Sequence, residues 1–297
     1  MENSNYVLVI GATGFLGMQI CKKLIADGRK VKGMIRETSD PAKVNNLKNM
    51  GVETVQGDLK NIQSLFDACN DVSVIISTAS STMSRNEGDS IESVDEKGQL
   101  NAIEAALTKG VKQFIFISFK AVDTDFPLQS AKRNVENKLK ESNLNYTILK
   151  PSFFMEVWLS PAIGFDYTNA KATVYGDGKN KIPWISLNDV ANFTTACVDN
   201  PKVRNQVFEV GGPEGLSPLE VISIFENQSG KNFHIDYVPI EALQAQKESA
   251  SDSLSQSFAT MMLSYANGSV MDDQETDKIF GIKKTTVGEY TKQVLQN

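Results

Sequence analysis

Histidine is nearly absent from this chain: His234 is the only one in 297 residues. Cysteine is scarcely better represented, with Cys21, Cys69 and Cys197 dispersed along the sequence. One imidazole and scattered thiols give no ligand set at metal-binding spacing, so a transition-metal centre has no support. The three cysteines fall on stretches that read as apolar helix faces. That predicts buried free thiols rather than a disulfide, a metal site or a nucleophile. His234 sits in an expected late strand, distant in sequence from every signal of nucleotide binding, and is read as structural. No apolar run exceeds the length of a strand, so no transmembrane segment is expected. Positive charge is not in excess either: 30 Lys+Arg against 36 Asp+Glu give a net charge of −6. Such a balance offers no basic field to hold nucleic acid or an anionic membrane. The N-terminus lacks a basic stretch followed by a long apolar one, so export is not expected and the cytoplasm is the anticipated location.

What the chain does have is ordinary globular material, 41% hydrophobic and 22% charged, in a length sufficient for one large α/β domain, or for one with a smaller appended lobe. The strongest local signal is Tyr6-Val7-Leu8-Val9-Ile10-Gly11-Ala12-Thr13-Gly14-Phe15-Leu16-Gly17. A strand-like run enters a turn spaced Gly-x-x-Gly-x-x-Gly, and an amphipathic helix from Phe15 to Asp27 follows, ending at Gly28. Strand, glycine turn and helix in that order make an anion site. Glycine admits a pyrophosphate close to the backbone, and the helix N-terminus presents unpaired N–H groups with partial positive charge. The alternative is a tight connection with no ligand.

The alternation then continues. Strands are expected at Lys30–Ile35, Val52–Val55, Val72–Ile76, Gln113–Ile117 and Tyr146–Leu149. Helices are expected around Ala42–Met50, Ile62–Cys69, Ser90–Thr108 and Leu128–Glu141. Short, wholly apolar strands of this kind belong to a parallel sheet covered on both faces. The predicted fold is therefore α/β, a Rossmann-type doubly wound parallel sheet with helices on both faces and a smaller C-terminal substrate lobe. The dinucleotide domain is placed at 1–150 and the lobe at 151–297, packed onto it with a cleft between. Beyond Pro151 the pattern loosens. A strand at Ile182–Ser186, a helix at Asn188–Val198, a strand at Gln206–Val210, a helix at Pro218–Gln228, a strand at Ile235–Val238 and a final helix Val287–Leu295 are expected. Ser249–Ser257 reads as a mobile connection or a polar helix face.

Several side chains carry the chemistry. Arg36 stands at the end of the second strand, about 20 residues past the glycine turn, where the adenosine ribose belongs. A carboxylate there would repel a 2′-phosphate. Arginine binds one through charge-assisted hydrogen bonds, so NADP(H) is preferred over NAD(H), with Thr13 or Lys43 as helpers. A solvated arginine is the alternative. Asp58, followed by Leu59, falls where the adenine edge would lie, although a turn or helix-cap role explains it equally. Ser77, Thr78, Ala79 and Ser80 follow the fourth strand with small side chains that let a cofactor pass. The polar stretch Ser81–Gly88 behind them reads as a flap.

These segments, with Gly110-Val111-Lys112-Gln113-Phe114-Ile115-Phe116-Ile117-Ser118 and Asn145-Tyr146-Thr147-Ile148-Leu149-Lys150-Pro151, together resemble the atypical extended short-chain dehydrogenase/reductases. Within these the chain resembles the NmrA-like group, which includes quinone reductase-like and isoflavone reductase-like proteins. Trp184-Ile185-Ser186-Leu187-Asn188-Asp189-Val190-Ala191 is similar to a late strand-to-helix segment of that family. Short-chain dehydrogenases pair a tyrosine with a lysine four residues later, so that the ammonium lowers the phenol pKa. Here Lys132 matches the lysine, but Leu128 occupies the tyrosine position, and Ser118 matches the serine ending the fifth strand. The resemblance implies that Lys132 binds the nicotinamide ribose or acts as an acid/base, with Ser118 beside it. A plain surface lysine is the competing reading of Lys132. The resemblance also places Gly11, Thr13, Gly14, Phe15, Leu16, Gly17 and Pro151 on the cofactor. Phe153, Phe154, Met155 and Trp158 are assigned to the substrate side, where aromatics and Met would stack on a flat apolar acceptor, or else to packing between the lobes. The expected function is an NADP(H)-dependent oxidoreductase passing hydride to a small apolar electrophile such as a quinone or enone. The alternatives are a non-catalytic NADP(H)-binding redox sensor with a protein partner and, more weakly, a nucleotide-sugar epimerase. The missing tyrosine argues against the last.

Overall fold

The computed structural model describes residues 6–83 and 86–296. It divides into two compact units. The first comprises Met1–Phe119, Pro127–Lys150 and Ala191–Phe208, and the second Lys120–Phe126, Pro151–Val190 and Glu209–Asn297.

The first unit follows the alternation read from the sequence: β1 Tyr6–Ile10, α1 Phe15–Ala26, β2 Lys30–Ile35, α2 Pro41–Asn49, β3 Glu53–Gln56, α3 Ile62–Ala68, β4 Val72–Ser77, α4 Gln99–Thr108, β5 Gln113–Ile117, α5 Pro127–Glu141 and β6 Asn145–Pro151. Its strands lie in the order β3-β2-β1-β4-β5-β6, each neighbouring pair parallel. A further strand, Gln206–Val210, adds beside β6. This is the doubly wound Rossmann order, with helices on both faces, and its reversal point lies between β1 and β4. The strands are apolar because both faces are covered: Leu8, Val74, Ile75, Phe114, Ile115, Phe116 and Ile148 are fully buried.

One expected helix differs in kind. Ser90–Thr108 opens as a π-helix, Ile91–Gly98, before continuing as α4. The Ser90 and Ser93 side chains form a reciprocal cap at its start. Gly98 is required where the backbone passes Leu59, because a Cβ there would come within 2.7 Å of the Leu59 Cβ. π-Turns of this kind occur often at functional sites.

The second unit is built from α6 Met155–Trp158, β7 Phe165–Asp166, β8 Lys171–Tyr175, α7 Leu187–Ala196 (which runs on into the first unit), β9 Gln206–Val210 (likewise shared), α8 Pro218–Ser229, β10 His234–Val238, α9 Ile240–Ser249, α10 Ser253–Asn267, α11 Gln274–Phe280 and α12 Val287–Gln296. A small sheet of order β10-β8-β7 stands within it. Lys171–Tyr175 alternates buried positions with exposed or half-buried ones, a period-2 pattern hidden among the turn residues of that segment. Ile182–Ser186, expected as a strand, forms none: Ile182 and Ile185 make single bridges to Leu216 and Phe154. Pro183 between them has no N–H to continue a ladder. Ser249–Ser257 runs from the last residue of α9 through a three-residue connection, 250–252, into the start of α10, with Asp252 capping α10 through the amides of Leu254 and Ser255. His234 is exposed on β10, its Nε2 3.3 Å from Asp236.

All three cysteines are free and buried. No helix among the described residues is long and apolar enough to cross a membrane.

Candidate functional site

The glycine turn begins where β1 ends. Gly11 has φ +88°, and a Cβ on it would meet Thr78 Oγ1 at 2.6 Å, so a side chain is both strained and obstructed there. A Cβ on Gly17 would fall inside contact of the Gly11 carbonyl oxygen, which lets α1 start tight against the turn. The Gly14 amide donates to Gly11 O at 2.9 Å. No side chain caps the N-terminus of α1, and Phe15, its first residue, is 68% exposed. Across the reversal point, the Thr78 amide and hydroxyl both donate to Ile10 O, at 3.0 and 3.2 Å. These observations fit the pyrophosphate of a dinucleotide: a close-approach backbone, uncapped helix amides and no carboxylate in the first turn. Ala12 and Leu16 are buried under the turn, while Thr13 is half-buried.

The other expected cofactor residues are differently disposed. Ser77 is fully buried, and its hydroxyl donates to Gln99 Oε1 at 2.7 Å. Gln99 in turn donates to the Ala79 carbonyl, so this pair fixes the chain after β4. Asp58 accepts from the Lys60 amide at 2.8 Å, a turn role, and Leu59 is buried in the core. Arg36, the residue after β2, is half-buried, its Nη1 2.6 Å from Asp89 Oδ2. Lys43, on the next helix, stands 5.8 Å over the Phe15 ring.

Lys132 is not a surface lysine. Leu128, Lys132, Val135 and Leu139 form the buried stripe of α5, and Lys132 is 5% exposed. Its Nζ donates to Ile117 O at 3.3 Å, lies 3.8 Å from Asp95 Oδ1 and sits 4.8 Å from the centroid of Phe116. Burial pushes its pKa down, while the Asp95 carboxylate opposes that shift. Asp95, on the π-helix, is fully buried. Its Oδ2 accepts from both the amide and hydroxyl of Ser81, at 2.9 and 2.6 Å. Its Oδ1 has no hydrogen bond. The Lys132 amine and the Asp95 carboxyl group are thus brought together at the carboxyl end of β5, beside the Phe116 ring.

Ser118 is buried one residue beyond β5. Its hydroxyl donates to Glu136 Oε1 at 2.6 Å and accepts from Arg133 Nη2 at 3.2 Å. Glu136 also pairs with Arg133 at 2.8 Å and with Lys150 at 3.0 Å. Burial lowers the pKa of both cations against the pull of Glu136.

The sequence reading did not single out Asp95, Glu136, Lys150 or Asp89. Helical spacing was the available signal. Ile91, Val94, Asp95 and Gly98 are the buried stripe of one helix, and Glu136 follows Lys132 by one turn on another.

In the second unit, Phe153 and Trp158 meet edge to face at 4.8 Å, and Trp158 stacks on Tyr265 at 5.0 Å. Phe153 also contacts Trp184 at 6.5 Å. Met155 is fully buried in this core, whereas Phe154 is half-buried and Pro151 buried. Glu156 accepts from the Leu187 amide, and Asp189 accepts from the amide and hydroxyl of Thr285. The late segment noted in the sequence thus ties this unit together. Among the described residues, no group of three or more His, Cys, Asp or Glu could hold a metal ion.

Strand order, glycine turn and uncapped helix define a Rossmann-type NAD(P)-binding fold. The chain belongs to the NmrA-like family, whose pattern matches residues 3–291. It is similar to the phenylcoumaran benzylic ether reductase Pyrc5 of Pyrus communis, 28% identical, with 99% of each chain covered. It is also similar to the photosystem II assembly factor Ycf39 of Cyanophora paradoxa, 31% identical over 80% of this chain and 73% of that one. Among solved structures, an NADPH-dependent quinone oxidoreductase from Escherichia coli complexed with NADPH superposes with a TM-score of 0.78. That comparison covers 97% of this chain and 99% of the other at 22% identity, and it concerns the fold.

Proposed function

We propose that this chain is an NADP(H)-dependent reductase acting on a small, largely apolar electrophile such as a quinone or enone. The observation that carries the reading is the buried Lys132 beside Asp95, in a Rossmann unit with an uncapped glycine turn. The likeness to a reductase along nearly the whole chain supports it. The amides at Gly14–Gly17 receive the pyrophosphate, and Arg36, with Lys43, receives the 2′-phosphate. When bound, the reduced nicotinamide supplies the hydride. Lys132 holds a proton on Nζ and delivers it to the acceptor oxygen that gains charge, then recovers one from solvent. Ser118, clamped by Glu136 and Arg133, fixes the end of β5 beside it. Phe153, Phe154 and Trp158 are the assigned substrate residues, with ring surface suited to a flat acceptor.

A second reading, a dinucleotide-binding assembly or regulatory factor, is favoured by Leu128 at the tyrosine position and by the likeness to Ycf39. NADPH oxidation with a panel of quinones, enones and azo compounds separates the two. The reductase reading expects turnover that falls sharply in Lys132→Met. Tight NADPH binding without turnover of any acceptor would favour the second reading.

A further inference from the structure

The segment leading into the π-helix is fastened by charge onto the loops after β2 and β3. Asp89 has one carboxylate oxygen on each of two cations: Oδ2 lies 2.6 Å from Arg36 Nη1 and Oδ1 lies 2.6 Å from Lys60 Nζ. Its side chain is 2% exposed, against 33% for Arg36 and 30% for Lys60. Neighbouring contacts hold the same segment down. Asn86 Nδ2 donates to Thr38 Oγ1 at 3.1 Å, Lys60 Nζ reaches Glu87 O at 3.4 Å, and Ser93 Oγ donates to Gly88 O at 2.8 Å. Asp58 lies farther from Lys60, at 3.9 Å, and remains to partner it if Asp89 leaves.

An arginine and a lysine sharing one anion is the arrangement that holds a phosphate monoester. Arg36 is also the residue assigned above to the 2′-phosphate. Its guanidinium cannot give the same N–H groups to both anions, and two anions on one cation repel. We propose that Asp89 is an internal stand-in for the 2′-phosphate. Its carboxylate occupies Arg36 and Lys60 while the site is unphosphorylated, and is displaced when a 2′-phosphorylated nucleotide enters. A nucleotide with a bare ribose leaves the contact in place. Asp89 therefore opposes NADP(H) selectively, sets how strongly the site discriminates it from NAD(H), and couples its arrival to release of residues 86–89. The inference rests on the dinucleotide reading and adds a control to its ribose end.

The test uses the full chain, with adenosine 2′,5′-bisphosphate and 5′-AMP titrated by calorimetry into wild type, Asp89→Asn and Arg36→Ala. The expected result is a bisphosphate affinity about fivefold higher in Asp89→Asn, the scale of one half-buried ion pair, with 5′-AMP unchanged. Hydrogen exchange of the wild-type amides at 86–89 provides a second readout that needs no variant. It should quicken with the bisphosphate and not with 5′-AMP. Weaker bisphosphate binding in Arg36→Ala, with no gain in Asp89→Asn or no change in exchange, would overturn the role of Asp89 and leave the dinucleotide reading standing. Failure of wild type to bind either nucleotide or NADPH would overturn both.

Discussion

Lys132 Nζ lies 3.8 Å from Asp95 Oδ1 with both side chains buried, and the second oxygen of Asp95 is taken by Ser81. The carboxylate is thereby fixed from one side and left facing the ammonium on the other. Burial makes the ammonium give up its proton more readily than a solvated lysine does, and the carboxylate limits that effect.

Turnover should carry an alkaline limb set by Lys132. Proton delivery needs the ammonium, so kcat falls as pH rises through a value below that of an ordinary lysine. Asp95→Asn removes the charge that raises the Lys132 pKa, so the limb should move to lower pH. A limb that does not move would contradict the pairing. Lys132→Met should lower kcat by about 10²- to 10⁴-fold, the range for loss of a positioned acid, with NADPH affinity changed far less.

The same shift has a sign in stability. The folded state releases the Lys132 proton at lower pH than the unfolded state, whose lysine titrates at about 10.4. Between those two values the unfolded chain binds more protons, so folding stability contributed by Lys132 rises with pH and is complete above the unfolded value. The stability difference between wild type and Lys132→Met, measured by urea unfolding across that window, should therefore grow in favour of wild type as pH increases. A difference that shrinks as pH increases would contradict the burial account.

Gly11→Ala should cost about 1–2 kcal/mol from its positive φ alone, and more from the Thr78 hydroxyl in its path. The melting-temperature increase that NADPH confers on wild type should be lost in this variant. Retention of that increase would show that the nucleotide binds elsewhere.

Glu136 holds Ser118, Arg133 and Lys150 together. Glu136→Ala leaves the half-buried Arg133 and Lys150 without their buried anion and should destabilise by about 3 kcal/mol. Lys150→Ala keeps the Arg133 pair and should cost about 1 kcal/mol or less. Equal losses would show that the cluster does not act through Glu136.

The thiols should be inert in the folded chain. Burial pushes Cys21 up to about 12 and Cys69 to about 11, and Cys197 is also raised by burial. A thiol reagent at neutral pH should label none of the three natively and all three in denaturant. Native labelling of any one would contradict this burial.

The sheet was legible because its strands are short and apolar, and because Gly11, Gly14 and Gly17 permit one particular turn. The second unit was harder. Its sheet includes the two-residue β7, and its aromatics pack on one another in a way no short-range period reports. The charged residues beside Lys132 were hidden for a physical reason: Asp95 and Glu136 look like polar positions until their helical stripes are traced, and each is then found among buried side chains. Arg36 was legible as a cation at a strand end. Its partner Asp89 was not, since 53 residues separate the two in the chain.

The most direct test is a calorimetric titration of NADPH into the wild-type chain, followed on the same sample by its oxidation with a simple quinone. The account predicts a saturable heat that Gly11→Ala abolishes, and turnover that Lys132→Met removes while leaving the heat. Absence of heat with both NADPH and NADH would contradict it, as would undiminished turnover in Lys132→Met.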